Sequence, residues 1–520
     1  MKIFRLLYVL YKIKCISPIS LYYLVTSFST CGVNLMTLLN FAARKYSNQS
    51  FLVSEEETLS YKQLLDSSSK LAIALKEKLG IQSGNKVAIM CKNHASLVKS
   101  IFAVSRLGAD VYFINTEISK SKFNELIQQH HFHLLIYDSE LGSIVDQSNN
   151  LNPKVLSYHS ELPAINNHLL FKGDENYKLP RASGGKIVLH TSGTTGSSKE
   201  IVHSPSLFNY LNPFIALITR LKILKYNKAY IATPIYHGYG IAILLLFIPL
   251  GKQIIIRRNF NAQSASYLIK EHRIEVITVV PTMLQRLLDT NAKDLKSLRC
   301  IASGGAKLPK KLIDDTLHSL GKVLYNLYGS TEAGLNFIAT PYDLMHSSTT
   351  IGRKINGMDL RVLDRHMNEV KLGGVGQLCI KNEWSMSNKE TSWIQTGDLG
   401  YQDEHGLFYL SGRIDDMIIS GGVNVYPIEV EHILMSHPEI IDAAVIGIED
   451  EVFGQRLKAF IQPKSVSLIT NQEIELWLRT RLSKFQLPKE IEVVKELPYT
   501  SLGKLDRKQL YKVNSKNEFS

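Results

Sequence analysis

From Asn34 onward, short apolar segments alternate with longer amphipathic segments, and this alternation limits the chain to few folds. Lys86–Met90 and residues 110–114 are apolar runs of strand length, and residues 94–107 between them have the apolar spacing of a helix. The same alternation returns between residues 229 and 303. Strands separated by helices usually lie parallel in a layered sheet. The sequence therefore predicts an α/β domain with a largely parallel sheet.

Beyond Gly373 the pattern changes to strands and turns, followed by a compact αβ unit with a helix at Pro427–Met435. The chain has 520 residues, which is too long for one ordinary hydrophobic core. The turn at residues 412–416 is the natural boundary. We predict three parts, and their limits are residues 1–33 for an N-terminal extension, 34–412 for a large domain and 413–520 for a small C-terminal domain.

The formal net charge of +13 favours anionic partners such as nucleotides, phosphorylated thiols, nucleic acid or a phospholipid surface. No nucleic-acid-reading motif accompanies the charge, so we predict no nucleic-acid partner. Five scattered cysteines form no CxxC pair, which favours buried thiols in a reducing cytoplasm over a disulfide scaffold.

Residues 1–33 stand apart because no acidic residue precedes Glu55. Four basic residues interrupt their apolar side chains: Lys2, Arg5, Lys12 and Lys14. These charges break the apolar run of a secretory signal, and the many hydroxyl side chains after Cys15 make a poor membrane span. Two alternatives remain, a segment lying on an anionic membrane surface and an N-terminal arm that is packed or loose.

The sharpest local signal is the glycine- and hydroxyl-rich segment 191–199, which directly follows an apolar strand. Its glycines let backbone N–H groups face an anion, its hydroxyls add donors, and its lysine adds positive charge. The residues predicted to bind phosphate are Thr191, Ser192, Gly193, Thr194, Thr195, Gly196 and Lys199. No glycine directly precedes the lysine, and residues 200–203 have a strand pattern, so this is not a GxxxxGK[ST] loop.

This loop resembles the phosphate-binding signature of the adenylate-forming superfamily, which includes acyl-CoA synthetases, peptide-synthetase adenylation domains and luciferases. Five further segments resemble that family's motifs in the family's order, and the resemblance covers roughly residues 34 to 512. They are Tyr328-Gly329-Ser330-Thr331-Glu332, Thr396-Gly397-Asp398, Gly412-Arg413-Ile414-Asp415-Asp416, Gly421-Gly422-Val423-Asn424-Val425-Tyr426-Pro427 and Thr500-Ser501-Leu502-Gly503-Lys504-Leu505-Asp506-Arg507. The implied fold is a large multi-layer α/β N-terminal domain with a small mobile α+β lid.

The resemblance also implies nucleotide contacts. The segment Tyr328, Gly329, Ser330 and Thr331 would contact adenine and AMP, and Glu332 would hold Mg²⁺, which prefers hard oxygen ligands. Asp398 would accept the two ribose hydroxyls. Arg413 would hold a ribose or phosphate oxygen, and Asp415 would be the hinge.

Lys504 is the implied catalytic lysine, because a mobile cation can stabilise charge that develops when a carboxylate attacks the α-phosphate. We group Thr194 of the phosphate loop, Glu332 and His237 with it as catalytic. The lid would then swing about Asp415, withdraw the lysine and bring the loop containing Gly421 and Gly422 to a pantetheine tunnel.

A third group of residues resembles the wall of the family's acyl pocket. His237 matches a position that gates the pocket, and Gly238 and Gly240 beside it leave room for a substrate. The turn with Gly304 and Gly305 lacks bulk, which suits a flat ring or a passing chain. A hydrogen-bonded core histidine and an ordinary tight turn are the alternatives for these two features.

These features together predict an AMP-forming acid–thiol ligase that uses ATP, Mg²⁺ and coenzyme A. A fatty acid is the first expectation for the acid, because the residues around His237 and in segment 1–33 are apolar. An aryl acid such as o-succinylbenzoate is the alternative, followed by transfer to an acyl-carrier protein. A non-catalytic adenylate-binding homologue is the remote alternative, since it would be expected to lack Lys504, Glu332 or Asp398.

Overall fold

A computed structural model describes residues 2–146, 153–167, 177–192, 198–206, 208–385, 393–420, 423–451, 453–464, 469–500, 504–507 and 509–512. Its α-helices are α1 Lys2–Lys12, α2 Pro18–Cys31, α3 Leu35–Tyr46, α4 Tyr61–Leu79, α5 Ala95–Arg106, α6 Lys120–Gln129, α7 Gly142–Val145, α8 Leu211–Arg220, α9 Gly238–Phe247, α10 Ala262–His272, α11 Pro281–Leu288, α12 Lys310–Leu320, α13 Pro341–His346, α14 Pro427–Met435 and α15 Asn471–Arg479.

The strands form three sheets. They are β1 Ser50–Val53, β2 Thr58–Ser60, β3 Lys86–Met90, β4 Asp110–Phe113, β5 Leu134–Tyr137, β6 Lys154–Leu156, β7 Ile187–Ser192, β8 Ser198–His203, β9 Lys228–Ile231, β10 Gln253–Ile256, β11 Val276–Val279, β12 Cys300–Gly304, β13 Leu324–Ser330, β14 Gly334–Ala339, β15 Thr350–Lys354, β16 Asp359–Leu363, β17 Gly376–Lys381, β18 Ile394–Gln402, β19 Phe408–Arg413, β20 Ile418–Ser420, β21 Val423–Val425, β22 Ile440–Asp450, β23 Gly454–Pro463 and β24 Glu490–Val493.

The predicted α/β architecture is confirmed, and its two larger sheets are parallel at their centres. The six-stranded sheet has the order β6-β5-β3-β4-β7-β8, with only its edge pair β7–β8 antiparallel. In the thirteen-stranded sheet the run β13-β12-β11-β9-β10-β1 is parallel, and β14 to β19 extend it with antiparallel pairs. Every residue of β11 and β12 is buried, as expected of strands covered by helices on both faces.

Along the chain, β19 is the last strand of the thirteen-stranded sheet. β20 begins a separate five-stranded sheet with β21 to β24. One strand is displaced from its predicted limits, since the apolar pattern after Gly373 predicts a strand at residues 406–410. Gly406 instead lies in a turn at φ +76°, held by the Asp403 carboxylate, which accepts the N–H groups of His405 and Leu407. The strand therefore begins at Phe408 and runs to Arg413.

The N-terminal segment forms two helices whose inner faces belong to the largest apolar cluster. Val9, Leu10 and Ile13 contribute from α1 and the turn after it, and Cys15 and Cys31 are also buried. The packed alternative for this segment therefore describes its inner faces. Among the residues that the structure describes, no helix is long and apolar enough to cross a bilayer.

A buried polar cluster joins the carboxyl ends of β3 and β5. His94 caps α5 by accepting the Leu97 N–H at Nδ1 (3.2 Å), so the neutral ring carries its proton on Nε2. That Nε2 donates to Asp138 Oδ1 at 2.8 Å, and the Ser157 hydroxyl and the Lys92 N–H donate to the same carboxylate. Burial alone would raise the pKa of Asp138, but these hydrogen bonds lower it to about 2.

Replacing Asp138 with Asn should lower the melting temperature at pH 7 by about 5 °C or more, because the amide nitrogen cannot accept a hydrogen bond. An unfolded Asp titrates near ~3.9, so the depressed folded-state pKa contributes stability above about pH 4 that disappears as the pH falls towards 2. Thermal melts of Asp138→Asn and of Asp66→Asn, an exposed carboxylate on α4, test this. Equal melting temperatures for the two variants would contradict it.

Candidate active site

The parallel strands of the large sheet end at one edge, and several predicted site residues lie there. Gly304 ends β12 in register with Leu327 of β13, and Tyr328, Gly329 and Ser330 follow on that strand. A Cβ at Gly304 would lie 3.0 Å from the Leu327 carbonyl oxygen, and Gly305 has φ +85°. Gly304 leaves room for the backbone of β13, and Gly305 has a positive φ that favours glycine. The turn therefore carries no side chain at these two positions.

Asp398 is the centre of a hydrogen-bonded group on three strands. It pairs in register with Arg413 across β18 and β19, and the Arg413 Nη1 lies 2.8 Å from its Oδ1. The Tyr328 hydroxyl of β13 donates to its Oδ2. Burial raises the pKa of Asp398, while Tyr328, Arg413 and the charge of Lys504 oppose that shift. The structure thus brings four of the sequence-predicted site residues together.

Arg413 and Asp415 lie where the chain leaves the large sheet. The second Arg413 nitrogen, Nη2, is 3.4 Å from Asp415 Oδ2, and both side chains are partly exposed. Gly397 has φ +76°, and a Cβ there would lie 2.9 Å from the Arg413 Nη2. Glycine before Asp398 therefore leaves space for the guanidinium beside the carboxylate.

His237 directly precedes α9. Its Nε2 is buried and has no hydrogen-bond partner among the described residues. Burial, and then the charge of Lys504, lower the pKa of His237 to about 4, so the ring is neutral at physiological pH. Since a buried polar atom is normally paired, this nitrogen is a candidate for a contact with a ligand.

Gly238 marks a close approach of three segments. A Cβ there would lie 3.3 Å from Leu189 of β7 and 4.0 Å from the Thr331 methyl group. The start of α9 thus lies next to both the strand that enters the phosphate loop and the turn after β13. Gly240 has another explanation than substrate access, because a Cβ there would lie 2.1 Å from the Pro234 carbonyl oxygen.

The phosphate loop is described only at its two ends. β7 and β8 pair from Ile187–His203 to Ser192–Ser198, so the strand expected after the lysine is present. The backbone of Thr191, Ser192 and Lys199 belongs to this hairpin. The remaining predicted phosphate-binding residues lie outside the described residues, and they are Gly193, Thr194, Thr195 and Gly196.

Glu332 lies in the exposed turn between β13 and β14. Ser330 Oγ accepts the Ala333 N–H at 3.0 Å, and a Cβ at Gly329 would lie 2.3 Å from the Gly334 carbonyl oxygen. The tight hairpin thus presents an accessible carboxylate beside the segment predicted to bind the nucleotide. One such hard oxygen ligand fits Mg²⁺, which usually takes one or two carboxylates and completes its shell with water and substrate phosphates.

Cys91, His94 and Asp138 have the spacing of a metal site, the one such group among the described residues. A metal on His94 Nε2 would force the ring proton onto Nδ1, which faces the Leu97 N–H. Two donors would then oppose each other. The cluster is therefore better explained as the hydrogen-bonded junction described above, and Glu332 remains the candidate metal ligand.

Lys504 is placed by a short bridge in the small domain. Tyr499 pairs with Leu505, and Thr500 Oγ1 accepts the Lys504 N–H at 3.2 Å. The Lys504 side chain is exposed, and its charge lowers the pKa of both His237 and Asp398. The lysine charge is therefore close enough to act on both groups. Gly421 and Gly422 lie outside the described residues.

An interdomain polar group was missed by the sequence analysis. Glu431 Oε1 accepts hydrogen bonds from Arg507 Nη2 (2.8 Å) and the Val445 N–H (3.0 Å), and Tyr499 donates to Asp442. Lys307, in the turn after β12, is exposed to solvent.

Desolvation by the surrounding protein lowers the pKa of Lys307 to about 8, and the negative charges of Glu431 and Asp442 oppose this shift. Arg507 belongs to a segment that resembles a family motif, but nothing in the sequence links Arg507 or Glu431 to a lysine so far away in the chain.

A cavity of about 620 Å³ opens beside the end of β10. Tyr230, Arg257 and Tyr267 are among the residues that line it, and none of the predicted site residues does. We therefore assign it no part in the chemistry.

Residues 39–388 match the family model described as AMP-binding enzyme, and residues 429–504 match that of its C-terminal domain. The 2-succinylbenzoate–CoA ligase of Geobacillus sp. (strain WCH70) is 28% identical over 84% of this chain and 89% of its own length. The fatty acid–[acyl-carrier-protein] ligase ScoC of Streptomyces coeruleorubidus is 27% identical over 92% of this chain and 95% of its own.

Among solved structures, the o-succinylbenzoate CoA synthetase (MenE) from Bacillus subtilis with the acyl-adenylate OSB-AMP superposes with a TM-score of 0.79. It is 25% identical, and the match covers 91% of this chain and 97% of that one. The family model alone spans more than half of the chain and contains the strand that carries Tyr328 and the turn that carries Glu332. The chain therefore belongs to the AMP-binding enzyme family.

Proposed function

We propose that this protein activates a carboxylic acid with ATP as its acyl-adenylate and then transfers the acyl group to the thiol of coenzyme A. The observation that carries the proposal is the hydrogen-bonded group of Tyr328, Asp398 and Arg413, in which Asp398 offers two oxygens suited to ribose hydroxyls. Lys504 is close enough for its charge to lower the pKa of His237 and to oppose the raised pKa of Asp398. His237 Nε2 is buried and has no hydrogen-bond partner among the described residues, so it is available to a substrate.

In the first step, a carboxylate oxygen of the acid attacks the α-phosphorus of ATP, and the bond to the leaving pyrophosphate breaks. Lys504 stabilises the negative charge that develops on the phosphate oxygens. Asp398 orients the ribose, and Tyr328 and Arg413 hold the carboxylate in place for it. Mg²⁺, when bound at Glu332, would neutralise phosphate charge and so favour attack by an anion.

In the second step, the thiol loses its proton to water, its sulfur attacks the acyl carbon, and AMP leaves with the electrons of the broken acyl–oxygen bond. Lys504 would have no role in this step, because the small domain has by then carried it away from the phosphate. A swing of the small domain about Asp415 would withdraw the lysine and admit the thiol. Asp415 suits a hinge, since it lies in the exposed turn that separates the two sheets.

We favour an aryl acid of the o-succinylbenzoate type as the substrate. Relatives named for that acid match the chain at 26–28% identity, and a solved ligase of the same name covers 91% of it. Our first expectation, a fatty acid for coenzyme A, has less support from these comparisons. The similarity to ScoC keeps a second candidate, which is the loading of a fatty acid onto an acyl-carrier protein.

A pyrophosphate-release screen tests the activity and the acid together. We expect release that requires ATP, Mg²⁺ and an acid, with o-succinylbenzoate above benzoates and fatty acids of several chain lengths. Adding coenzyme A or a phosphopantetheinylated carrier protein identifies the acceptor by mass spectrometry. A protein that releases no pyrophosphate with any acid would refute the proposal, and preference for fatty acids would refute only the choice of substrate.

Lys504→Ala should slow adenylate formation about 10²- to 10³-fold, the usual loss for one charge-stabilising donor. The same variant should convert supplied acyl-adenylate and coenzyme A to product at nearly the wild-type rate. Single-turnover measurements of each step provide the comparison, with Lys310→Ala, an exposed lysine on α12, as the control. An equal loss in both steps would show that the lysine acts in the transfer to the thiol as well as in adenylate formation.

Asp398→Asn should raise the KM for ATP about tenfold or more and leave the KM for the acid nearly unchanged. The physical reason is the loss of a charged acceptor for ribose hydroxyls, which is worth more than a neutral one. Steady-state kinetics with each substrate varied in turn give the two constants, and Glu404→Gln, an exposed carboxylate after β18, serves as the control. Parallel rises in both constants would indicate a structural role for Asp398 instead.

A further inference from the structure

The two N-terminal helices expose large apolar side chains although their inner faces are packed. On α1, Ile3, Phe4 and Tyr11 are between 65% and 75% exposed, and Leu7 and Tyr8 are also exposed. Positions 3, 4, 7, 8 and 11 recur at helical spacing, so they share one face. The outer face of this helix is therefore as apolar as the inner one.

The same arrangement continues on α2. Ile19, Tyr22 and Val25 are between 62% and 63% exposed, and they also recur at helical spacing. The inner face of α2 is fixed by Ser27, whose hydroxyl donates to Asn40 of α3, and by the buried Cys31. Because both helices are held from inside, their outer residues cannot turn inward to escape water.

The charge around this surface favours one kind of partner. Lys12 and Lys14 are exposed at the end of α1, and the sequence contains no acidic residue before Glu55. Lys12 also lies over the Tyr8 ring, with Nζ 5.4 Å from its centroid. A second copy of the chain would bring these lysines against each other, so like charge opposes self-association through this face. An anionic surface would gain from the same charges.

The lengths of the helices determine how such a surface would be met. α1 has 11 residues and α2 has 14, whereas a span needs about 20. Short helices with one aromatic, apolar face and basic residues beside it bind in the plane of a membrane interface. Tyrosine and phenylalanine suit that depth, because their rings are apolar and the tyrosine hydroxyl can stay hydrated.

We propose that α1 and α2 form a docking surface for an anionic lipid bilayer, with Phe4, Tyr11, Ile19 and Tyr22 inserted among the headgroups and Lys12 and Lys14 facing lipid phosphates. The surface is separate from the catalytic cleft and does not depend on the reaction proposed above. It would hold the enzyme at the membrane without using any residue of the catalytic cleft.

Flotation of the full-length protein with vesicles tests this surface. Vesicles of phosphatidylcholine that contain about one third of the anionic lipid phosphatidylglycerol should bind the protein. Vesicles of phosphatidylcholine alone should bind it about tenfold more weakly. Binding to the anionic vesicles should fall as salt is added, because surface charges are screened over about 10 Å at 0.1 M.

The double variant Phe4→Ser, Tyr11→Ser should reduce binding about tenfold or more, because two apolar side chains no longer leave water. The matched control is Tyr267→Ser, Leu372→Ser, which removes equally exposed apolar side chains elsewhere and should bind like the wild type. Lys12→Gln, Lys14→Gln should weaken binding to anionic vesicles and leave the weak binding to neutral vesicles unchanged. Thermal melts establish that each variant is folded.

Three results would overturn the proposal. They are absence of vesicle binding by the wild type, equal binding by the Phe4→Ser, Tyr11→Ser variant and its control, and vesicle-independent self-association in sedimentation that the same variant abolishes. The last would assign the surface to a second copy of the chain. Lys504→Ala should bind vesicles normally, so a failure of the membrane proposal is distinguishable from a failure of the proposed reaction.

Discussion

Asp398 accepts hydrogen bonds from two directions, from Tyr328 on β13 and from Arg413 on β19. These contacts join the end of the parallel part of the large sheet to its antiparallel extension, at the point where the chain turns towards the small domain. Burial opposes the charge of this carboxylate, and two protein donors and one lysine compensate for it. The direction of Arg413 depends on this one charged group, and so would the position of the nucleotide in the proposed reaction.

The small domain contributes to the same cleft through two separate contacts. Lys504 reaches the region of His237 and Asp398, while Glu431, Asp442 and Arg507 form a polar group near Lys307 of the large domain. In the proposed reaction, the first contact would serve the chemistry and the second would hold the domains together. A lid that is proposed to leave after the first step is better held by polar groups, which water can solvate when it opens, than by a large apolar interface.

The N-terminal helices show a different use of apolar side chains. Val9 and Leu10 pack inward and stabilise the large domain, whereas Phe4 and Tyr11 on the opposite face of α1 remain in water. Exposed aromatic residues on a helix that is already anchored contribute nothing to the folded state by burial. Their presence is explained if a lipid surface covers them, and the basic side chains beside them suit the headgroups of such a surface.

Much of the architecture follows from the sequence, because strand and helix periodicity are local properties. The strand Lys86–Met90 and the helix Pro427–Met435 have the limits that their apolar spacing predicts. The turn at Gly406 was missed, because the carboxylate of Asp403 holds it and a short apolar run by itself does not reveal such a contact.

Motif order in the sequence indicated the family and named Asp398, Arg413 and Lys504 as candidates. Only the tertiary structure decided their relations, since Tyr328, Asp398 and Lys504 are far apart in the chain and meet through sheet register and domain placement. It also showed that Gly240 is required by the Pro234 carbonyl and that the charges of Glu431 and Asp442, in the small domain, act on the pKa of Lys307. The physical reason is the same in each case: a sequence specifies local conformation and apolar pattern, whereas contacts between distant residues exist only after the chain has packed.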